Sequence, residues 1–366
     1  MNETGTCMRS FLPSTAVLEL TYKCNHACRF CSCPWYGGMI KPGKEMSVDE
    51  WKQCITELCE AGITSFAFTG GEMLLKDGWE DIVHHAASLQ AYHYEEEDGA
   101  IVCKRKRPSL FLLSNGKIMS DRVLDICKMY DANLSMSLPG ITTFEQHTCG
   151  GTTPEHILDW FIRAKEKGVR TTAGITITSE NYFELYETVA AALLAGATTI
   201  LMNRFLPGGR GLTHRELDLT TEQIREFPFT VEKVLAQAGR FGSVGTEFPY
   251  CLAHDSRNLK HLSLNTTCGA AKGFFVVGPS GMLRVCNHSP RELVHWKQWN
   301  TLMEHPYWRQ FIFKDYLPDA CKGCTFSGQC DGGCREAAHV CHGSPTAADP
   351  ALAAYTELPL PRILPN

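Results

Sequence analysis

Between residues 16 and 240 the chain alternates two hydrophobic rhythms. Residues 16–21 form a short apolar, β-branched run that reads as a strand. Trp51, Ile55 and Leu58 then recur at helical spacing, behind Ser47 with Glu50 three residues later and ahead of Gly62. A serine and a glutamate so placed satisfy free N–H groups at a helix start, and glycine suits its exit. Residues 64–69 read as a second strand, broken by Gly70-Gly71, and 79–92 as a second helix. Asp98-Gly99 marks the turn of an inserted hairpin. Strands follow at 110–114, 133–138, 170–178 and 199–202, with helices near 121–130, 152–167, 182–194 and 220–238. Thr152 with Glu155, and Thr220 with Gln223, repeat the capping signature. Six βα units in a row predict a parallel sheet curled into a full or partial barrel, whose functional groups belong at the C-terminal strand ends.

Past residue 240 long helical periods fade and Gly, Pro and Cys become dense. Residues 274–277 and 282–285, separated by Gly278-Pro279-Ser280-Gly281, read as a small hairpin, and 299–311 as a short helix. A region held by cofactors rather than by a large apolar core has this look. The expected division is a lead-in over 1–15, a barrel over 16–240, a small cofactor-held domain over 241–345 and a loosely draped tail over 346–366.

Composition narrows the function. The 366 residues are 44% hydrophobic, enough to bury a substantial core, and their formal charge is -5 from 35 basic and 40 acidic residues. No basic face suggests a nucleic-acid partner. The basic run 104–107 follows the acidic run 95–98 and reads as a solvated hairpin. No apolar stretch is long enough for a bilayer, and the first residues lack a basic region followed by an apolar one, so a cytoplasmic location with no membrane partner is expected. In a reducing compartment 18 cysteines point to metal binding or catalysis before disulfides.

Cys24, Cys28 and Cys31 form a C-x3-C-x2-C run directly after the first strand. Three thiolates on one tight loop suit three irons of a [4Fe–4S] cluster, leaving the fourth iron open to a ligand. A zinc site with His26 as fourth ligand is the alternative, although zinc sites commonly use C-x2-C pairs. The loop, with Phe30 before its last cysteine, resembles the signature of the radical S-adenosylmethionine (SAM) superfamily. Gly70-Gly71-Glu72, ending the second strand, is similar to that family's GGE motif. The resemblance implies a partial (β/α)6 barrel of the TIM type, a [4Fe–4S] cluster held by three cysteines and SAM, and a SAM amino group held at Gly70, Gly71 and Glu72. It also implies SAM contacts at Ser137 and Arg204, and a polar turn at Ser114-Asn115-Gly116. A serine in a strand or an Asn-Gly turn needs no function to explain it.

Near the C-terminus Cys268 is followed by Gly281, Cys286, and then Cys321-x2-Cys324-x5-Cys330-x3-Cys334-x6-Cys341. This resembles the seven-cysteine SPASM motif, which follows the barrel in peptide- and protein-modifying radical SAM enzymes. The resemblance implies two auxiliary [4Fe–4S] clusters, one on Cys321, Cys324, Cys330 and Cys341, the other on Cys268, Cys286 and Cys334. The second set lacks a fourth thiol. Cys251 is the nearest candidate, as a ligand or as a hydrogen-atom donor to a substrate radical, and a plain buried thiol is the alternative. A pair of zinc knuckles is the rival for the whole pattern. Cys7, Cys33, Cys54, Cys59, Cys103, Cys127 and Cys149 match no motif; Cys54, Cys59 and Cys127 fall within expected helices and read as core thiols.

The function so implied is reductive cleavage of SAM to a 5′-deoxyadenosyl radical, abstraction of hydrogen from a substrate C–H bond, and modification of a ribosomally made peptide by crosslinking, epimerisation or oxidation. The implied partners are a flavodoxin- or ferredoxin-type electron donor and, since the first strand starts near Ala16, a separate protein to bind a peptide leader. A SPASM-type small-molecule oxidoreductase and a sulfatase-type maturase are the nearer alternatives; Asn287 stands where the latter commonly has an aspartate. A non-catalytic iron–sulfur or zinc scaffold is the alternative of another class.

Overall fold

The computed structural model describes residues 10–97, 99–253 and 258–352. The expected βα alternation is present as strands β1 (Thr15–Glu19), β2 (Ser65–Thr69), a hairpin of β3 (Ala91–Glu97) and β4 (Ala100–Lys106), then β5 (Ser109–Ser114), β6 (Asn133–Ser137), β7 (Thr171–Ile177) and β8 (Thr199–Arg204). Between them run α1 (Val48–Glu60), α2 (Trp79–Ser88), α3 (Asp121–Tyr130), α4 (Phe144–Thr148), α5 (Pro154–Lys167) and α6 (Leu185–Ala195). Strands β1, β2, β5, β6, β7 and β8 are neighbours in that order, all parallel, with Leu18 opposite Phe68 and Phe68 opposite Leu112. Period-two burial sends Leu18, Phe66, Phe68, Leu112, Leu134 and Met136 outward under the helices, where each is fully buried.

The opposite side of the same strands mixes small polar residues with apolar ones. Thr15, Ser65, Asn133 and Thr199, with Phe111, Leu113, Leu201 and Phe241, line a cavity of about 670 Å³ toward the N-terminal ends of the strands. A TIM barrel of the packed kind fills that space with branched apolar side chains. Here part of that space is the cavity just described.

The sheet does not end with the barrel. After α7 (Thr221–Ala238), strands β9 (Gly242–Val244) and β10 (Leu262–Leu264) extend it beyond β8. On the other side β11 (Phe274–Val277) lies parallel to β1, and β12 (Leu283–Arg284) pairs antiparallel with β11. The expected hairpin is therefore present, and it is also a barrel edge. Helices α8 (Pro306–Ile312) and α9 (Arg335–His342) complete the C-terminal region.

Capping chemistry explains where expected boundaries moved. Ser47 with Glu50 and Thr220 with Gln223 form complete capping boxes on α1 and α7. At α5 the cap is Thr153, which accepts from the His156 N–H, because Pro154 takes the first helical position. Thr152 and Glu155 thus make no box. The helix expected over 79–92 stops at Ser88, since Ala91 already pairs with Lys106 in the hairpin. The helix expected over 299–311 is two pieces, a 3-10 stretch Trp296–Glu304 and then α8, divided where His305 caps Pro306. Part of the expected loose tail is packed, for Asp349 is fully buried. Among the described residues no helix is long and apolar enough to cross a membrane.

Candidate iron–sulfur and cofactor site

The cysteine loop begins one strand-end from the lumen, and the Gly-Gly turn after β2 grips its root. The Gly71 N–H donates to the Thr21 carbonyl at 2.8 Å and the Glu72 N–H to that of Lys23 at 2.8 Å. A Cβ on Gly70 would stand 2.7 Å from the Thr21 oxygen, and one on Gly71 2.2 Å from the Lys23 oxygen. Both glycines are thus demanded by close backbone contact, whatever else they bind. Glu72 is buried and accepts from the Asn115 N–H (2.7 Å), the Ser114 hydroxyl (3.0 Å) and the Leu74 N–H (3.1 Å). Burial pushes its carboxyl up, against the pull of those donors. The Gly70–Glu72 turn and the Ser114-Asn115-Gly116 turn are therefore one unit joining the ends of β2 and β5. Asn115 reaches further, its side-chain N–H donating to the Asn25 Oδ1 at 2.7 Å and lying 3.7 Å from the Cys24 sulfur.

The far side of the loop is fixed by residues that carried no motif. The Ala27 and Arg29 N–H groups donate to the carbonyls of Thr148 and His147 at 3.1 and 3.0 Å. The Arg29 guanidinium makes a two-pronged contact with Glu180 and reaches Glu216 at 2.8 Å. Beyond β8, Gly209 packs so closely under the loop that a Cβ there would stand 2.6 Å from the Cys31 oxygen and 2.5 Å from that of Cys33. Phe30 lies half-buried, its ring 6.1 Å from that of His147.

The three thiols share one electrostatic neighbourhood. Burial pushes Cys28 well up, and the neighbouring Cys31 and Cys24 push it further. Cys24 is raised by burial first and by Glu72 and Cys31 after it. Cys31 is the exception, drawn down to about 7 chiefly by a hydrogen bond from Cys33. Cys33, two residues past the cluster motif, has its thiol 3.9 Å from the Gly70 carbonyl oxygen. Three thiolates crowded together repel one another, and an iron–sulfur cluster supplies the positive charge that lets them ionise together. Among the described residues no three His, Cys, Asp or Glu side chains converge as ligands of one ion do. His26 is buried against Gly150, and burial draws it down to about 4.

Two other expected contacts stand apart. Ser137 is exposed at the end of β6, on the lumen side shared with Asn133 and Ser135. Arg204, ending β8, is buried; it donates to the Glu247 carbonyl at 2.9 and 3.0 Å and pairs with Asp349. Its partners lie in the C-terminal region.

The C-terminal cysteines divide into two groups. Cys268, Cys286 and Cys334 are buried, and each thiol is pushed well up by burial first. Cys286 and Cys334 are raised further by thiols of the same group. Cys321, Cys324 and Cys330 form the second, with Cys251 beside them: burial raises Cys251 to about 12, and the next causes are Cys330, Cys321 and Cys324. The turn carrying Cys251 is held there by the Tyr250 N–H, 3.4 Å from the Cys330 sulfur, and by Tyr250 against Phe326 at 4.3 Å. Cys251 therefore lies with this outer group rather than with Cys268, Cys286 and Cys334. Cys341, two helical turns along α9 from Cys334, faces Arg215 and Asp218. Cys54, Cys59 and Cys127 are core thiols on α1 and α3, whereas Cys7 lies outside the described residues.

Residues 18–192 match the radical SAM superfamily. Over 96% of the chain and 90% of the relative, the sequence is 24% identical to the PqqA peptide cyclase of Rhodopseudomonas palustris. Among solved structures it is similar to Streptococcus suis SuiB bound to S-adenosylmethionine, with a TM-score of 0.69, 13% identity, and 93% of this chain and 77% of that one covered. It is also similar to anSMEcpe with bound AdoMet and the Cp18Cys peptide, with a TM-score of 0.67, 16% identity, and coverage of 94% and 95%.

Proposed function

Because residues 18–192 match the radical SAM superfamily, we propose that this chain modifies a ribosomally made peptide by taking a hydrogen atom from one of its C–H bonds. The observation that carries this reading is the Cys24, Cys28 and Cys31 loop, clamped at the C-terminal strand ends between the Gly70–Glu72 turn and the carbonyls of His147 and Thr148. A [4Fe–4S] cluster with SAM at that loop would supply the electron for reductive cleavage of SAM. Cys24, Cys28 and Cys31 would hold the cluster, with SAM contacts at Gly70, Gly71, Glu72, Phe30 and Ser137. The protein's own part is placement and exclusion of water: the Gly70–Glu72 turn fixes the loop, and the lumen walls keep the reacting carbon close and dry.

Two auxiliary clusters in the SPASM domain over 241–345 complete the proposal, one on Cys268, Cys286 and Cys334, the other on Cys321, Cys324, Cys330 and Cys341. They suit acceptance of the electron left on the substrate radical. The reading also calls for a flavodoxin- or ferredoxin-type donor and, for a leader-bearing peptide, a separate leader-binding protein. The PqqA peptide cyclase match extends through the whole cysteine pattern and supports a peptide substrate. Asn287, whose amide lies 3.3 Å from Glu19, has a structural partner in place of the base a sulfatase-type maturase needs.

The test is anaerobic reconstitution followed by incubation with SAM, a reductant and candidate peptides labelled with deuterium. Reductant-dependent 5′-deoxyadenosine carrying the label is expected, from protein holding about twelve irons. Release of unlabelled 5′-deoxyadenosine with every peptide would count against a peptide substrate, and colourless, zinc-loaded protein would overturn the enzymatic reading altogether.

A further inference from the structure

Two side-chain amides join the turn after β5 to the first cysteine loop, and their own hydrogen bonds fix their orientations. The Lys117 N–H donates to the Asn115 side-chain oxygen at 3.0 Å, which settles that end of the amide as the oxygen. The Asn115 side-chain nitrogen is then the atom that meets Asn25, at 2.7 Å, so Asn25 presents its oxygen there. That leaves the Asn25 amide nitrogen at the free end of the pair. This nitrogen is buried, and among the described residues no acceptor meets it. A buried N–H without an acceptor is costly, so one set in a cofactor loop marks the place of a group that accepts.

The position of the pair points to that group. Asn25 directly follows Cys24 in the chain. One Asn115 nitrogen lies 2.7 Å from the Asn25 oxygen and 3.7 Å from the Cys24 sulfur, so the Asn25 amide and the Cys24 thiol stand on the same side of the loop. The Cys24 sulfur also accepts from the His26 N–H at 3.5 Å. N–H donors therefore gather at this sulfur, and Asn115 is held firmly in place. Its backbone N–H donates to the Glu72 carboxylate at 2.7 Å, and the Ser114 hydroxyl donates to the same carboxylate at 3.0 Å. The ring of His26 has an unpartnered Nε2 as well, but that ring packs against Gly150.

We propose that Asn25 and Asn115 are a donor pair that sets the potential of the cluster on Cys24, Cys28 and Cys31, Asn115 donating to the Cys24 thiolate and Asn25 to another sulfur of the cluster. This rests on the reading of that loop given above. Both are positioning residues: neither binds iron, and each acts on the redox centre through sulfur. Reduction adds negative charge to a cluster, and an N–H aimed at sulfur stabilises that charge. The pair therefore raises the potential above what the three thiolates alone would give.

The test is a redox titration of the full chain, reconstituted with iron and sulfide and followed by EPR with and without SAM. The signal of the first cluster is the one missing from Cys28→Ala. Asn25→Leu and Asn115→Leu each remove one donor. Asn25→Asp keeps the oxygen that Asn115 needs and replaces the donor with a second oxygen. All three are expected to keep the parent's iron content and to shift the midpoint of that signal downward, Asn25→Asp the most because it adds charge. The shift is expected without SAM as well as with it. Should Asn115→Leu fail to fold, the two Asn25 variants, which leave the turn of Glu72, Asn115 and Lys117 in place, carry the test. The proposal is overturned if either leucine variant holds its full iron and the parent's midpoint. It is also overturned if the Asn25→Leu midpoint moves only when SAM is present, for then that N–H meets SAM and not sulfur. If instead Cys28→Ala loses no signal, the cluster reading itself is wrong and this inference falls with it.

Discussion

Cys28 is the middle cysteine of the first loop, and the charges of Cys31 and Cys24 act on it together. Removing it takes away a proposed ligand, whereas Cys33 belongs to no cluster motif and its thiol contacts the Gly70 carbonyl at 3.9 Å. Cys28→Ala is therefore expected to abolish reductant-dependent 5′-deoxyadenosine release, while Cys33→Ala keeps the cluster and its visible absorbance. Equal release from Cys28→Ala and the parent would remove that residue from the proposed ligand set. Gly71 offers a second test of the same loop. A methyl group there meets the Lys23 carbonyl at 2.2 Å, so the turn or the loop root has to move. Gly71→Ala should cost about 1–3 kcal/mol in stability, the usual penalty for overpacking, and weaken SAM binding in the same measurement series. A variant as stable as the parent, with unaltered SAM affinity, would mean the grip is dispensable.

Elements show how much of this was legible in the chain. The barrel strands and their helices were, because strand alternation and capping boxes are local signals that tertiary packing reinforced: Ser47 and Glu50 sit as their spacing predicts. Strands β9 and β10 were not, since three residues carry no period and their pairing partners are remote. The same holds for the site. Cysteine spacing identified the first loop and most of the C-terminal pattern, but not that Cys251 joins the outer group, nor that Arg29 clamps the loop to Glu180, 151 residues away. Strand β10 depends on such a remote anchor. Burial alone would raise the Glu232 carboxyl, but His261 and the N–H groups of Lys260, His261 and Leu262 override it and draw it down to about 2. A carboxylate depressed in the folded state stabilises above its unfolded pKa and loses that contribution as pH falls toward the folded one. Stability should thus decline between about pH 4.5 and pH 2 by on the order of 2 kcal/mol from this group. In Glu232→Gln, which cannot titrate, that part of the decline in denaturant midpoint should be missing; an unchanged pH profile would show that the anchor contributes nothing.

At the scale of the whole molecule, one buried ion pair joins the two chemistries. Glu19 ends β1, the strand that leads into the first cysteine loop, and Arg284 lies in β12, two residues before Cys286. The two side chains pair in the interior, and Arg284 also donates to the carbonyls of Asn287 and Ser289 at 3.1 and 2.8 Å. Burial pushes the Glu19 carboxyl up, and Arg284 opposes it. Two charges taken out of water together gain little net stability, but one left alone is expensive. Arg284→Met should leave the Glu19 carboxylate unpaired and cost about 3–5 kcal/mol, and Glu19→Met should do the same to the guanidinium. The double variant should be far less destabilised than the sum of the two, a coupling that denaturant titration of all four proteins measures. The pair also fixes where the C-terminal cysteines stand relative to the barrel, through the parallel pairing of β1 with β11. A double variant that folds well should therefore still bind all its iron, yet release more 5′-deoxyadenosine per modified peptide than the parent. If its stability is restored and that ratio is unchanged, the ion pair serves folding alone, and the register of β1 with β11 is enough to hold the two regions in their working relation.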